Sequence, residues 1–394
     1  MGTSNQKDWP KVKFGDVVRN VNATTKDPAS IGLDRVVGLD HMDPESLPLK
    51  RWDELSELNE GTSFTRIFRS GQVLFGKRRA YQKKVSVPDF DGICSGDILV
   101  FEPASDLLLP DFLPYIVQSD GFFEHALGTS AGSLSPRTKW QELAKYEFVL
   151  PPVEEQRRIA SILEVANLCL EKSRSVDIDQ LKLAAIAELF ESSKIPKQEL
   201  RNVVTLSMGG IWGSDPGVED CDVEIVRQTE FNEDSELTIG AGAQRSVSLT
   251  QAKNRQLQRG DILVQKSAGT PTLCGRVVQV RDDVDHAVVC SNFLHMFRVA
   301  GDRNLSILLY WCLWYIHQSG IAFNLQRGTS IRNLDMKRYL DIAVPIPDGR
   351  DLQAIVSKLE SMDALSQSLK ERQKTGQRIV DSLREHLLTG GHHV

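Results

Sequence analysis

The sequence predicts an α+β protein: two mixed α/β domains separated by two long helices that form an antiparallel coiled coil, with an internal pseudo-twofold repeat. Three observations predict it. Short motifs in the second half re-run the order of those in the first. Each half opens with short β-like runs punctuated by Gly, Pro and Asp, the marks of strands and turns. Each half then closes with a proline-free stretch whose apolar residues recur at three and four. The expected boundaries are 1–150 and 196–347 for the mixed domains, with 151–195 and 348–394 for the long helices and tail.

The repeat period is nearly 200 residues, so the halves are duplicated domains and not solenoid units. Phe14-Gly15-Asp16-Val17-Val18 is echoed by Leu200-Arg201-Asn202-Val203-Val204, and Ser70-Gly71-Gln72-Val73-Leu74 by Arg259-Gly260-Asp261-Ile262-Leu263. Gly128-Thr129-Ser130 recurs as Gly328-Thr329-Ser330, and the run 146–152 is matched to 339–345. One helix is expected inside each domain, over 112–125 and 306–318.

The long helices are expected over 152–190 and 350–388. Glu154 and Glu155 sit in the opening turn of the first, where the positive end of the helix dipole favours them. The first seam reads Ile159, Ile162, Ala166, Cys169, Val176, Leu183, Ala187 and Phe190; the second reads Leu352, Ile355, Leu359, Met362, Leu369, Val380, Leu383 and Leu387. Spacing of three and four over five heptads is the pattern of a coiled coil. Two such helices of nearly equal length, one per repeat, are expected to pair with each other, not merely to cover their own domains.

The charge balance narrows the function. The net charge is −6, against a general coat for polyanions, which is usually basic overall. Yet Arg66, Arg69, Lys77, Arg78, Arg79, Lys83 and Lys84 share a stretch with no acidic residue, and Phe68, Phe75 and Tyr81 are interleaved. Arg137 and Lys139 stand beside Trp140. In the second half Arg245, Lys253, Arg255, Arg259, Lys266, Arg276 and Arg281 share their stretch with one carboxylate, Asp261; Arg327, Arg332, Lys337 and Arg338 follow. A charge run is commonly a solvated face, but an acid-free block in both halves of an acidic chain points to phosphate contact. Arginine also reads guanine with two hydrogen bonds in the major groove.

No catalytic pattern stands out. The nearest approach to a P-loop, 260–267, has Gln265 where the second glycine belongs. No glycine fingerprint of a dinucleotide fold follows a strand. The run 150–153 carries paired prolines but lacks the Asn/Asp and the aromatic of adenine-methyltransferase motifs. The eight histidines have no metal-ligand spacing, and the six cysteines form no C-x-x-C pair. Asp89, Asp91, Asp97 and Glu102 find no lysine placed to make a nuclease. The polar start and an apolar run of about twelve residues at 305–316 predict no signal peptide, no membrane span and a cytoplasmic protein.

Two stretches carry a resemblance. Residues 150–163, Leu-Pro-Pro-Val-Glu-Glu-Gln-Arg-Arg-Ile-Ala-Ser-Ile-Leu, resemble the motif that opens the conserved helix of specificity (S) subunits of type I restriction–modification enzymes. Residues 71–84 are similar to the G-D-[VI]-L-F-x-K-x-R-x-Y-x-x-K run of that family's target-recognition domains, and 37–43, 92–95 and 387–390 fit as well. A weaker helix motif follows at 344–360; it lacks the doubled proline and the Glu-Gln pair, and the Gly260 run has no K-x-R-x-Y continuation. The resemblance implies two target-recognition domains, each reading one half of a bipartite site in double-stranded DNA, and a helical pair that sets the spacer. It implies docking of two methyltransferase (M) subunits, joined by restriction (R) subunits. Adenine methylation and cleavage, with S-adenosylmethionine, ATP and Mg2+, then belong to those partners, with no cofactor in this chain.

On this reading the DNA-contacting candidates are Arg66, Arg69, Lys77, Arg78, Arg79, Tyr81, Lys83, Lys84, Arg137, Lys139, Lys266, Arg276, Arg327 and Arg332. Pro152, Gln156, Ile159, Leu163, Leu352, Ile355, Leu359 and Leu383 are the candidates for subunit docking or helix pairing. The remaining alternatives are a DNA methyltransferase or nuclease with an unrecognised site, and a coiled-coil scaffold whose basic patches bind protein.

Overall fold

Short apolar runs bounded by turn residues become strands in both halves, and the way they pair repeats. A computed structural model describes residues 9–58, 62–132, 135–174, 177–232, 236–299 and 301–389. The chain forms two units, Met1–Ser175 with Glu371–Val394, and Val176–Lys370.

In the first unit Lys11–Lys13 pairs antiparallel with Glu147–Val149, closing the mixed domain at its neck. A sheet follows in the order Val18–Asn20, Ile98–Pro103, Val73–Gly76, Val85–Ser86. A second has the order Asp53–Glu54, Arg35–Val37, Gly92–Cys94, Arg66–Phe68, with its two central strands parallel. Phe14, Phe75, Phe101 and Phe122 are fully buried between the first sheet and the helices Leu113–Gln118 and Asp120–Gly128. Phe14 meets Phe101 edge-on at 5.5 Å and Phe122 tilted at 4.9 Å, while Phe75 stacks on Phe101 at 5.9 Å, geometries aromatic pairs favour.

The second unit has the same pairings: a neck of Lys197–Glu199 with Ala343–Pro345, a sheet of Leu206–Gly209, Leu294–Arg298, Ile262–Gln265 and Val277–Gln279, and a parallel pair, Cys221–Val226 with Val288–Cys290. Its helix Arg303–Gln318 buries Leu308, Leu309, Trp311, Cys312 and Ile316. A small extra sheet joins Ser267–Ala268, Arg332–Leu334 and Gln326–Arg327.

The backbone pairings correct the echoes read from sequence. Phe14 and Leu200 do open equivalent one-turn helices. Gly71 and Gly260 both take positive φ just before the central strand, a turn that a side chain would strain. The echo at 146–152 is displaced by three residues, because Phe14 donates to the Tyr146 carbonyl whereas Leu200 donates to that of Ile342. The Gly-Thr-Ser triplets are not equivalent. Gly128 ends a helix, whereas Gly328 lies in the turn after Arg327, which pairs with Asn333. The counterpart of that pair is Ala131 with Arg137, so Gly132, also at positive φ, is the match of Gly328.

The helices differ from expectation at their breaks. The helix expected over 112–125 is divided at Ser119, whose hydroxyl caps the second piece by accepting from Phe122 N. The first long helix is two helices, Val153–Arg174 and Ile178–Glu191, the second capped by Asp177. A carboxylate that accepts from the amides of Asp179 and Gln180 competes with continuing the helix, and a helix start results. Gly349–Leu388 runs unbroken for 40 residues. Cys169 is exposed and Leu170 is buried in its stead, so the seam runs one residue later there; Val176 lies outside the described residues.

Within the first unit an added Cβ on Gly376 would sit 3.2 Å from Leu170, and Gln373 donates to the Ser173 carbonyl at 2.9 Å. Within the second, Ser366 bonds Asp179 at 3.2 Å and Lys182 reaches Asp363 at 3.3 Å. In both, residue numbers rise along one helix as they fall along the other.

Candidate nucleic-acid interface

The basic run of the first unit is distributed by the fold into three groups. The strand Val73–Gly76 ends where the chain must pass close to Leu39 and Lys84; a Cβ on Gly76 would lie 2.9 Å from the Leu39 side chain. The next residues are clamped by backbone bonds: Lys77 N to Asp97 O (3.0 Å), Thr138 N to Lys77 O (3.1 Å) and Arg79 N to Pro136 O (2.8 Å). Residues 77–79 and 136–138 therefore lie side by side and bring Lys77, Arg78, Arg79, Arg137 and Lys139 together. Asp97 binds two of the three guanidinium groups of this corner, those of Arg137 and Arg78. It accepts from Arg137 Nε at 2.8 Å and Nη2 at 3.3 Å, and from Arg78 Nη1 at 3.5 Å, while Arg78 Nε donates to Ser135 at 2.6 Å. The Arg137 bond holds the Asp97 carboxyl below the usual range, against its partial burial. Burial, with Arg66 and Arg137 nearby, lowers the Lys77 ammonium although Asp97 opposes this. Arg79, Tyr81 and Lys139 are exposed, and among the described residues neither Arg79 nor Lys139 has an ion-pair partner.

The other basic residues of the run are engaged elsewhere. Arg66 is half-buried with a long contact to Asn20 (3.5 Å). Arg69 sits at the opposite end of the strand, paired with Asp91 at 2.8 Å. Lys83 bonds Asp120 at 2.8 Å and lies over the Phe123 ring. Burial would lower its ammonium, but Asp120 and Glu45 together raise it. Lys84 donates to the Leu39 carbonyl at 2.5 Å.

The second unit builds the same corner. Lys266 N donates to Phe293 O (3.0 Å), and Leu334 N donates to Lys266 O (2.7 Å). Lys266 is thus the counterpart of Lys77, and Ser267 and Asn333 stand where Arg78 and Arg137 stand. Ser267 Oγ lies 2.6 Å from Asn333 Oδ1. Arg332 is half-buried beside it, and Arg327 is paired with Asp335 at 2.5 Å. Arg276 is used inside the fold: its guanidinium covers the Phe231 ring at 5.0 Å and donates to the Gln228 carbonyl at 3.0 Å. Burial with Lys266 nearby pushes His295 down to about 4, leaving a neutral ring that bonds Ser207 at 2.8 Å. Trp212, 39% exposed, stacks at 5.0 Å on Arg245, which lies in a separate sheet of this unit.

Sequence reasoning missed Asp97, Ser267 and Asn333 as candidate site residues. One signal was available: a lysine stands six residues after the glycine in both Gly71–Lys77 and Gly260–Lys266. The helix candidates lie as follows. Pro152 is exposed. Gln156 is fully buried, accepting from Leu109 N (2.9 Å) and donating to the carbonyls of Leu107 and Pro151 (2.8 Å each). Ile159 and Leu163 are buried in one core with Leu387, against which Leu383 packs. Leu352 and Leu359 are buried with Ile186 in the other, with Ile355 at its margin. Among the described residues no helix is long and apolar enough to cross a membrane.

Residues 6–180 match the family model of the type I restriction modification DNA specificity domain. That stretch, a little under half of the chain, is similar to the type I specificity family. It contains both runs on which the resemblance was read, and the specificity-subunit likeness stands. The specificity subunit of the type I restriction enzyme EcoDI of Escherichia coli is 26% identical over 158 residues, 40% of this chain and 34% of that protein, so the match spans about a third of that relative's length. Two solved structures share the architecture along nearly the whole chain. One is a chain from a structure of the assembly and conformational transition of the type I R-M system, 20% identical with a TM-score of 0.57. The other is the S subunit of a type I restriction-modification system from M. genitalium, 14% identical with a TM-score of 0.51. Each covers 98% of both chains, and at these identities they establish the S-subunit fold.

Proposed function

We propose that this protein is the non-catalytic DNA-sequence-specificity subunit of a type I restriction–modification complex. The observation that carries the reading is the corner of Lys77, Arg78, Arg79, Arg137 and Lys139, which lies inside the family stretch and recurs on the same backbone around Lys266. Phosphate contacts position such a protein and base contacts specify the site; both need cations held on a rigid scaffold. Residues 1–150 and 196–347 act as target-recognition domains, each reading one half of a bipartite site in double-stranded DNA.

The segments 151–195 and 348–394 form an antiparallel coiled coil about a pseudo-twofold axis. The opposed numbering at Leu170–Gly376 and at Lys182–Asp363 supports it. A 40-residue helix is about 60 Å long at roughly 1.5 Å per residue, the length of about 17 base pairs at roughly 3.4 Å each. Helix length then limits the non-specific spacer, and the domains leaning over the duplex shorten it. Two M subunits dock on the helices and R subunits join them. S-adenosylmethionine, ATP and Mg2+ serve those partners, in the cytoplasm.

The test compares the methylated motifs of a host genome with and without this chain, alongside its M subunits. A split motif that disappears with the chain supports the proposal, and a motif that persists overturns it. Methyl transfer by the purified chain alone would make it an enzyme in its own right. Assembly with M subunits that gives no salt-dependent binding to duplex DNA would leave a protein scaffold.

A further inference from the structure

The two corners share a backbone and differ in chemistry. In the first unit Asp97 takes the Nε/Nη2 edge of Arg137, at 2.8 and 3.3 Å. The opposite Nη1/Nη2 edge makes no hydrogen bond among the described residues, and the side chain is exposed. A guanidinium held by one edge offers two parallel donors at the other, the arrangement that matches O6 and N7 of guanine. In the second unit Asn333 is exposed, and its amide is held by the Ser267 hydroxyl at Oδ1 (2.6 Å) and by a longer bond from Nδ2 to Ile331 O (3.3 Å). One Nδ2 hydrogen and one Oδ1 lone pair remain. That donor–acceptor pair matches N7 and N6 of adenine. Both residues occupy the same place: each pairs across the corner with the residue after the lysine, Arg137 with Arg78 and Asn333 with Ser267. The turn before each is opened by a positive-φ glycine, Gly132 or Gly328.

We infer that this corner is the base-reading position of each unit, with Arg137 reading a guanine in one half-site and Asn333 an adenine in the other. Asp97 and Ser267 are positioning residues that fix the two readers. The inference rests on the DNA-reading function proposed above and assigns the class of base that each corner takes.

The experiment uses the chain assembled with its M subunits, and duplexes in which each position of the motif is varied through the four bases. Arg137→Lys keeps the charge and loses the fork. It is expected to lower discrimination at one guanine of one half-site by roughly ten- to a hundredfold, with the other half-site unchanged. Asn333→Ala is expected to do the same at one adenine of the other half-site. Asp97→Asn should weaken discrimination most at the guanine affected by Arg137→Lys and leave the other half-site unchanged, a change that loss of folding stability alone would not give. The unaltered half-site serves in each case as the folding control. A uniform loss of affinity over all sequences would make these residues phosphate contacts and overturn the inference, as would an unchanged motif or both variants acting on one half-site. Absence of sequence-selective binding by the unmutated complex would instead remove the function on which the inference rests.

Discussion

The two units pin their long helices to their mixed domains by opposite means. In the first, the pin is a neutral amide: Gln156, without exposed surface, satisfies one backbone N–H and two carbonyls. The same offset along the other long helix is Leu352, which is simply apolar. The second unit relies on a cation. Lys182 has a side chain 5% exposed, lies 2.7 Å from Asp179 and 3.3 Å from Asp363, and faces the rings of Trp311 at 5.0 Å and Trp314 at 5.6 Å. A buried amide is indifferent to pH once its bonds are made, whereas a buried ammonium depends on carboxylates that stay ionised. The duplicated plan thus fixes where a helix must be held and leaves the chemistry of the hold free.

Five variants test the difference between the units. The largest effect belongs to function. Charge reversal of Arg78 and Arg79 together, in the assembled complex, should abolish specific binding, a loss beyond about 100-fold in a titration at fixed salt. Arg276→Ala in the second unit should lower stability and leave the salt dependence of binding alone, because that guanidinium is spent on Phe231 and Gln228. Unaffected affinity in the double reversal would remove Arg78 and Arg79 from the site.

Next comes Lys182→Ala, which removes the buried cation but leaves Asp179 its bond to Lys370 (3.3 Å) and Asp363 its bond to Arg281 (3.0 Å), and is expected to cost about 2 to 3 kcal/mol in urea unfolding at pH 7. Asp179 carries the pH dependence: burial would raise its carboxyl, but the Lys182 bond prevails and lowers it. A depressed carboxyl contributes stability above its unfolded value, roughly 3.9, and loses it as pH falls through the folded value. The Lys182→Ala penalty should therefore shrink below about pH 4; a constant penalty would refute the ionic pin. Gln156→Ala, stranding one N–H and two carbonyls, should cost about 2 kcal/mol with no change over the same pH range.

The smallest effect is at His286, which bonds the buried Glu224 at 2.7 Å and Asp285 at 2.8 Å. Asp285 and Glu224 raise the imidazole, so its contribution is full below roughly pH 6.5 and fades as pH rises through its folded value. Burial would raise the Glu224 carboxyl, but His286 and the amides of Gly242 and Gly240 lower it, so its share is lost only as pH falls below roughly 4.3. Thermal unfolding of the full chain should show a slight stabilisation near pH 5.5 relative to pH 8 that His286→Ala removes.

The strands and the duplicated order were legible because apolar runs and turn residues act locally, and Gly71 and Gly260 mark the same turn. Register was not legible. The two Gly-Thr-Ser triplets share letters but not hydrogen-bond partners, and only backbone pairing reveals Gly132 as the match of Gly328. Asp177 is visible in the sequence as a helix cap, yet the heptad pattern across it argued for one continuous helix. The basic run was read as a patch, but Lys83 and Lys84 turn inward to Asp120 and Leu39 while Arg137, 53 positions beyond Lys84, joins the corner. Asp97 was hidden for the same reason: its meaning comes from two arginines that only folding brings to it.

Arg79 and Lys83 hold φ of 54° and 48°, a left-handed backbone in which residues with a Cβ are strained by about 1 kcal/mol. Glycine would sit there comfortably. Arg79→Gly should thus raise the melting temperature slightly while blunting attraction to DNA. On the proposed function, the charge that this arginine offers to DNA outweighs the strain of its backbone.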